Sequence, residues 1–201
     1  PMSRGLGDVY KRQSHRFSLF VWKYPFLPRI KFRHTLMNKS RLGWMMKDKH
    51  LAIRIEQCLA LAKASNCPRR KFGALLVDPD RNVVLMDGYN GGPRGGGDLC
   101  GGDECLRDTM EVKSGTRVEI GCHHAEMNLI CNAAANGVPT KNAWLLVTGE
   151  PCMMCAKLIH HAGIEQVIIV DGGFGGENGV GYLEDHGVRI KRTDGPKDPR
   201  F

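Results

Sequence analysis

His124-Ala125-Glu126 and, after a spacer long enough for a helix and a strand, Pro151-Cys152-Met153-Met154-Cys155 decide how this chain is read. His124, Cys152 and Cys155 offer three metal ligands, and Glu126 offers a carboxylate beside them. A structural zinc has four protein ligands, whereas a catalytic zinc keeps three and leaves the fourth position to water. The set therefore predicts a hydrolytic zinc site with Glu126 as its acid and base. A lone Cys-x-x-Cys also occurs in redox motifs and as half of a zinc ribbon. The redox reading leaves His124 and Glu126 unused, and a ribbon would need more distant ligands.

Residues two apart do not face each other along a helix, so His124 and Glu126 share a site only where a helix begins. The run from Ala125 to Asn136 reads as that helix, with Asn136-Gly137 as its stop. Pro151 suits the start of a second helix, from about Cys152 to Ala162 and ending at Gly163, because proline lacks an N–H that the first turn leaves unpaired. Both helices would then aim positive ends at the metal, which favours thiolates.

Away from the motifs, residues 1 to 50 hold 12 of the 29 Lys and Arg but only Asp8 and Asp48 among the 21 acids. The remaining residues are nearly neutral, so a basic groove for long nucleic acid is not expected there. No apolar run approaches the roughly 18 residues of a membrane helix. Residues 1–45 show no sustained helical or strand period and are set aside from the fold. Being arginine-rich and acid-poor, they read either as an organellar transit segment or as translated non-coding sequence, since Met2 to Gln13 looks like a library adaptor and Met45 or Met46 would make a start. The domain is expected over 46–192, with 193–201 as a flexible tail.

Within that span Leu51, Ile55, Cys58, Leu59 and Ala62 recur at helical spacing. Phe72 to Val77 and Val83 to Asp87 predict a strand pair joined at Asp78-Pro79-Asp80. A Gly-rich loop from Gly88 to about Gly121 precedes the His124 helix. Strands follow at Ala143 to Thr148, Gln166 to Val170 and Val188 to Lys191, and Leu183 to His186 sits in a short helix that favours a parallel crossover. The expected class is α/β, a three-layer α/β/α arrangement around a mixed five-stranded sheet.

Eight cysteines in a small secreted chain would suggest disulfides. Here no secretory signal is recognised and zinc thiolates need a reducing compartment, so the cytoplasm is expected, or an organelle if 1–45 is a transit segment. Cys58 and Cys131 fall within helices and read as small core residues. Cys67, Cys100, Cys105 and Cys122 flank loops and form a candidate second, structural zinc site, with His123 able to replace one of them; free thiols are the alternative.

The His-x-Glu and Pro-Cys-x-x-Cys pattern is shared by zinc-dependent nucleobase deaminases. Over about residues 50 to 192 the chain resembles the deoxycytidylate deaminases of the cytidine deaminase superfamily, through Gly88-Tyr89-Asn90-Gly91, His123-His124-Ala125-Glu126-Met127-Asn128, Asn136-Gly137-Val138-Pro139-Thr140 and Pro151-Cys152 to Cys155. The resemblance implies a cytidine deaminase-like fold, one catalytic zinc, hydrolysis of dCMP to dUMP and ammonia, and homo-oligomers, often hexamers. By the same resemblance Asn90 would hold the deoxyribose, Arg69 would meet the 5′-phosphate, with Arg70 or Arg94 as alternatives, and Asn128 would contact substrate or cross-link its helix. A tyrosine that lies near the base in many members is replaced by Gly173, beside Phe174. The regulatory aromatic and arginine of some members appear as Asn132 and Ala135. Competing readings are another cytosine nucleoside or nucleotide deaminase, a tRNA adenosine deaminase, which would want a basic RNA-binding face, and a non-enzymatic zinc module, which would need no Glu126.

Overall fold

The computed structural model describes residues 46–93, 103–113, 116, 120–170 and 179–195, all of which belong to the unit Gly43–Phe201. The expected extension 1–45, Arg94, Cys100, Gly173, Phe174 and the end of the tail lie outside the described residues. The element order is α1 (Asp48–Ala62), β1 (Gly73–Asp78), β2 (Val83–Tyr89), α2 (Leu106–Thr109), α3 (Ala125–Ala135), β3 (Trp144–Val147), α4 (Met153–His161), β4 (Gln166–Val170), α5 (Val180–Asp185) and β5 (Arg189–Thr193).

The strands form one sheet in the order β2-β1-β3-β4-β5. β1 runs antiparallel to both β2 and β3, whereas β3, β4 and β5 are parallel, so the sheet is mixed as expected. Successive side chains of a strand point to opposite faces, and the core divides accordingly. Ala74, Leu76, Leu145, Val147, Val167 and Ile169 face a cluster with Leu129 of α3, Ile159 of α4 and Leu183 of α5. Leu75, Val77, Trp144, Leu146, Ile168 and Val170 face the other way, onto Leu51, Ile55 and Cys58 of α1. Helices thus cover both faces, which gives the three-layer α/β/α arrangement. β1, β3 and β4 are buried almost throughout, and each fully buried Leu or Ile contributes about 1.5–3 kcal/mol relative to exposure.

The short helix that contains Leu183 starts at Val180, which is also buried in the core. It ends before Gly187, whose φ of 80° turns the chain toward β5. β5 then reaches Thr193, since its length follows the pairing with β4 up to Val170. The long Gly-rich segment also contains α2, whose four residues are too short to show a period.

Gly88 sets how closely α3 approaches the sheet. A Cβ there would lie 2.6 Å from the Ala125 carbonyl oxygen and 2.7 Å from the Leu129 nitrogen, and backbone atoms cannot step aside. Gly88→Ala is expected to cost about 1–3 kcal/mol of stability in denaturant unfolding, as overpacking does. Gly181→Ala, in α5 with open space around its Cα, is expected to be neutral or stabilising by up to about 1 kcal/mol. Equal effects of the two changes would contradict the close approach at Gly88.

Candidate active site

The three expected ligands come from two helix starts. His124 is the N-cap of α3, with extended backbone at φ −73° and ψ 154°, and Cys152 is the N-cap of α4 at φ −69° and ψ 167°. An N-cap residue projects its side chain over the unpaired N–H groups of the first turn. The Cys152 sulfur accepts a hydrogen bond from the Cys155 amide at 3.5 Å. His124 Nδ1 lies 3.3 Å from Cys152 Sγ and 3.5 Å from Cys155 Sγ.

Among the described residues, one group of three or more His, Cys, Asp or Glu donors has its ligand atoms all within 4.8 Å of one another, and it is His124, Cys152 and Cys155. A tetrahedral ion with Zn–S near 2.3 Å and Zn–N near 2.0–2.1 Å would hold nitrogen and sulfur about 3.6 Å apart. The donor set fits zinc in spacing and in chemistry.

Protons are shared unevenly among these donors. The Cys155 thiol and the His124 ring donate to Cys152, which draws its pKa down to about 4 against the cost of its burial. Cys155 is pushed up because it gives its hydrogen bond to Cys152 and because it is buried. His124 is raised, first by its hydrogen bond to Cys152. Glu126 sits in the first turn of α3, buried, and burial raises its carboxyl above the ordinary range, although the nearby His124 pulls it back. A carboxyl poised upward in this way can both take and return a proton.

Asn90 is buried at the end of β2, and its amide is engaged with the backbone of the facing loop. Oδ1 accepts from the Phe72 amide at 2.7 Å, and Nδ2 donates to the Arg70 carbonyl at 2.9 Å and to Cys122 Sγ at 3.8 Å. Asn128 donates from Nδ2 to the Tyr89 carbonyl at 2.8 Å, so it cross-links α3 to β2. Arg69 places Nε 3.2 Å from the Asp108 carboxylate of α2, a contact sequence reasoning had no signal for. Cys67 and Cys105 are buried and Cys122 is half-buried, and Cys100, the fourth cysteine of the expected second set, lies outside the described residues.

The family model for the cytidine and deoxycytidylate deaminase zinc-binding region matches residues 46–171. The chain belongs to this family. It is 38% identical over 137 residues to ComE operon protein 2 of Bacillus subtilis, covering 64% of this chain and 59% of that protein. It is 38% identical over 110 residues to human deoxycytidylate deaminase, covering 54% of this chain and 57% of that protein. The chain thus spans less than two thirds of either curated relative. A crystal structure of dCMP deaminase from the cyanophage S-TIM5, in complex with dCMP and dUMP, aligns with a TM-score of 0.59 at 26% identity, covering 74% of this chain and 99% of that one.

Zinc must displace the protons of these donors, since metal binding requires deprotonated ligands. Cys152, held low, has none to lose near neutrality, Cys155, pushed up, has one, and the upward shift of His124 adds to what zinc displaces. Binding at pH 7 should release about one to two protons, and affinity should fall on acidification. Calorimetry of zinc binding to chelator-stripped protein, in buffers of different ionisation enthalpy, reads this number; zero or three would contradict the proton distribution.

Proposed function

We propose that the chain hydrolyses dCMP to dUMP and ammonia. The observation that carries the proposal is the buried carboxyl of Glu126 beside a three-donor set that fits zinc, in a chain similar to deoxycytidylate deaminases. Three donors leave a tetrahedral ion one open position.

Bound zinc supplies the activation of water at neutral pH, lowering its pKa from 15.7 to about 7. Water adds to C4 of the cytosine ring. Glu126 takes a proton from that water and delivers it to ring N3, and it then helps protonate the amine that leaves C4. Burial of Glu126 suits this work, because it raises the carboxyl above its usual range and so makes it a better proton carrier than an ordinary carboxylate. The loop from Thr148 to Pro151 leads into the Cys152 cap, and the Thr148 hydroxyl accepts a hydrogen bond from the Gly73 amide at 3.0 Å, which pins that loop to β1. Asn90 has both amide protons directed at protein groups, so any contact it made with the sugar or base would use its carbonyl oxygen as acceptor. The near-neutral charge of residues 51–201 favours a small nucleotide over an RNA.

Ammonia release from dCMP, deoxycytidine and a tRNA anticodon stem tests the proposal. The expected result is turnover of dCMP well above the other two; deamination of the tRNA with none of dCMP would overturn it. Glu126→Gln should keep its zinc and lose activity by about 10,000-fold or more, at the top of the range for proton transfer. A variant with normal zinc and a tenth of the original activity would remove Glu126 from the reaction.

A further inference from the structure

Histidines gather at the end of α4 that points away from the Cys152 cap. His160 and His161 lie in its last turn, and His186 is the C-cap of α5. The two helices meet there because Ile159 and Leu183 share one core cluster. The His160 ring centre lies 5.0 Å from that of His186, 5.6 Å from that of His161 and 6.0 Å from that of Tyr182, and Tyr182 stacks on His186 at 4.1 Å. His160 is about 12 Å along the helix from Cys152, so this group is separate from the active site.

Three observations suit these rings to a cation. His186 Nδ1 lies 2.7 Å from the Tyr182 carbonyl oxygen, which only accepts, so in the neutral ring Nδ1 carries the proton and Nε2 keeps a bare lone pair. Metal-binding histidines are held in this way, with the other ring N–H given to a carbonyl or carboxylate. His160 Nδ1 is enclosed by protein and has no hydrogen-bond partner, whereas buried polar atoms are nearly always paired. The last turn of α4 also presents the negative end of its helix, which favours positive charge. The spacing agrees: Zn–N bonds of 2.0–2.1 Å at a tetrahedral angle put the centres of two ligating imidazoles roughly 5 Å apart.

We propose that His160 and His186 form a metal site outside the active site, for a divalent transition ion of the kind imidazole binds, and that the ion ties the end of α4 to the end of α5. Zinc, nickel and copper fit such a pair, while magnesium and calcium prefer oxygen ligands. Among the described residues the one group of three close donors is His124, Cys152 and Cys155, so an ion between His160 and His186 completes its shell with water. It braces the helix that carries Cys152 and Cys155 without touching the reaction, and it does not depend on the deaminase reading.

Equilibrium dialysis of Ni2+ against the zinc-loaded full chain tests this, with nickel and zinc both counted and the thermal midpoint followed. The unmutated protein should take up nickel without releasing zinc, and its midpoint should rise, because an ion that binds only the folded state stabilises it. His186→Gln should weaken that uptake at least about tenfold, the lower end of what disturbing even a group behind a ligand costs, and should abolish the rise in midpoint. His160→Gln should do the same. Because His160 is half-buried and its replacement can unsettle the core, the exposed His186 decides the matter. Nickel binding in His186→Gln equal to that of the unmutated protein would overturn the proposal, as would nickel uptake matched by loss of zinc. His161→Gln should keep the site; a loss there with none in His186→Gln would place the ion within α4 and overturn the link to α5.

Discussion

The site depends on two helix starts meeting closely enough for one imidazole nitrogen to lie 3.3 Å and 3.5 Å from two sulfurs. Each cap residue stands where the backbone is extended and the first turn still has unpaired N–H groups, so the local field is positive and favours thiolate over thiol. That field also explains why a carboxyl can be tolerated in the first turn of α3 despite burial. The helices reach this meeting point because small residues let elements close up. Gly179 packs at the start of α4, where a Cβ would come within 2.3 Å of the Ala156 methyl and 2.9 Å of the Cys152 carbonyl oxygen.

A second layer of hydrogen bonds fixes the loops that carry these caps. Gly91 and His123 exchange backbone bonds of 3.2 Å and 2.8 Å, so the residue before the first ligand is paired like a strand to the continuation of β2. Asn90 reinforces the same corner by bonding both to and from the segment that enters β1. Thr148 and Gly73 bond reciprocally at the ends of β3 and β1, at 3.1 Å and 3.0 Å. The Phe72 ring lies over Gly149, so the segment that enters β1 also touches the loop that enters α4. Sheet order thereby becomes metal geometry: β1, the strand shared by both corners, holds the two ligand-bearing segments in register.

Much of this was legible in the sequence, and the reason differs from element to element. Gln166–Val170 was read with its observed bounds because a short apolar run between turn residues matches a strand buried on both faces. The ligand helices were read within about two residues, which is the usual uncertainty of helix ends, because their starts are marked by chemistry as well as by period. The role of Asn90 as a clamp was not legible, since its partners Phe72 and Arg70 are close only after β1 and β2 pair. Arg107, whose side chain packs on Gly121, was hidden for a related reason. It lies in a four-residue helix inside a glycine-rich segment, and nothing in the sequence near it indicates that its stem will meet Gly121. The ion pair between Arg69 and Asp108 likewise joins segments that no period connects.

The central claim is that zinc is held by three side chains from two helix starts, with one position open beside Glu126. Anomalous scattering at the zinc edge, from crystals of the zinc-loaded protein, locates each metal ion and its ligands directly. The account predicts a peak bonded to His124 Nδ1, Cys152 Sγ and Cys155 Sγ, whose fourth ligand is water within hydrogen-bond reach of the Glu126 carboxyl. A fourth protein side chain on that ion, or a carboxyl of Glu126 turned away from it, would contradict the account.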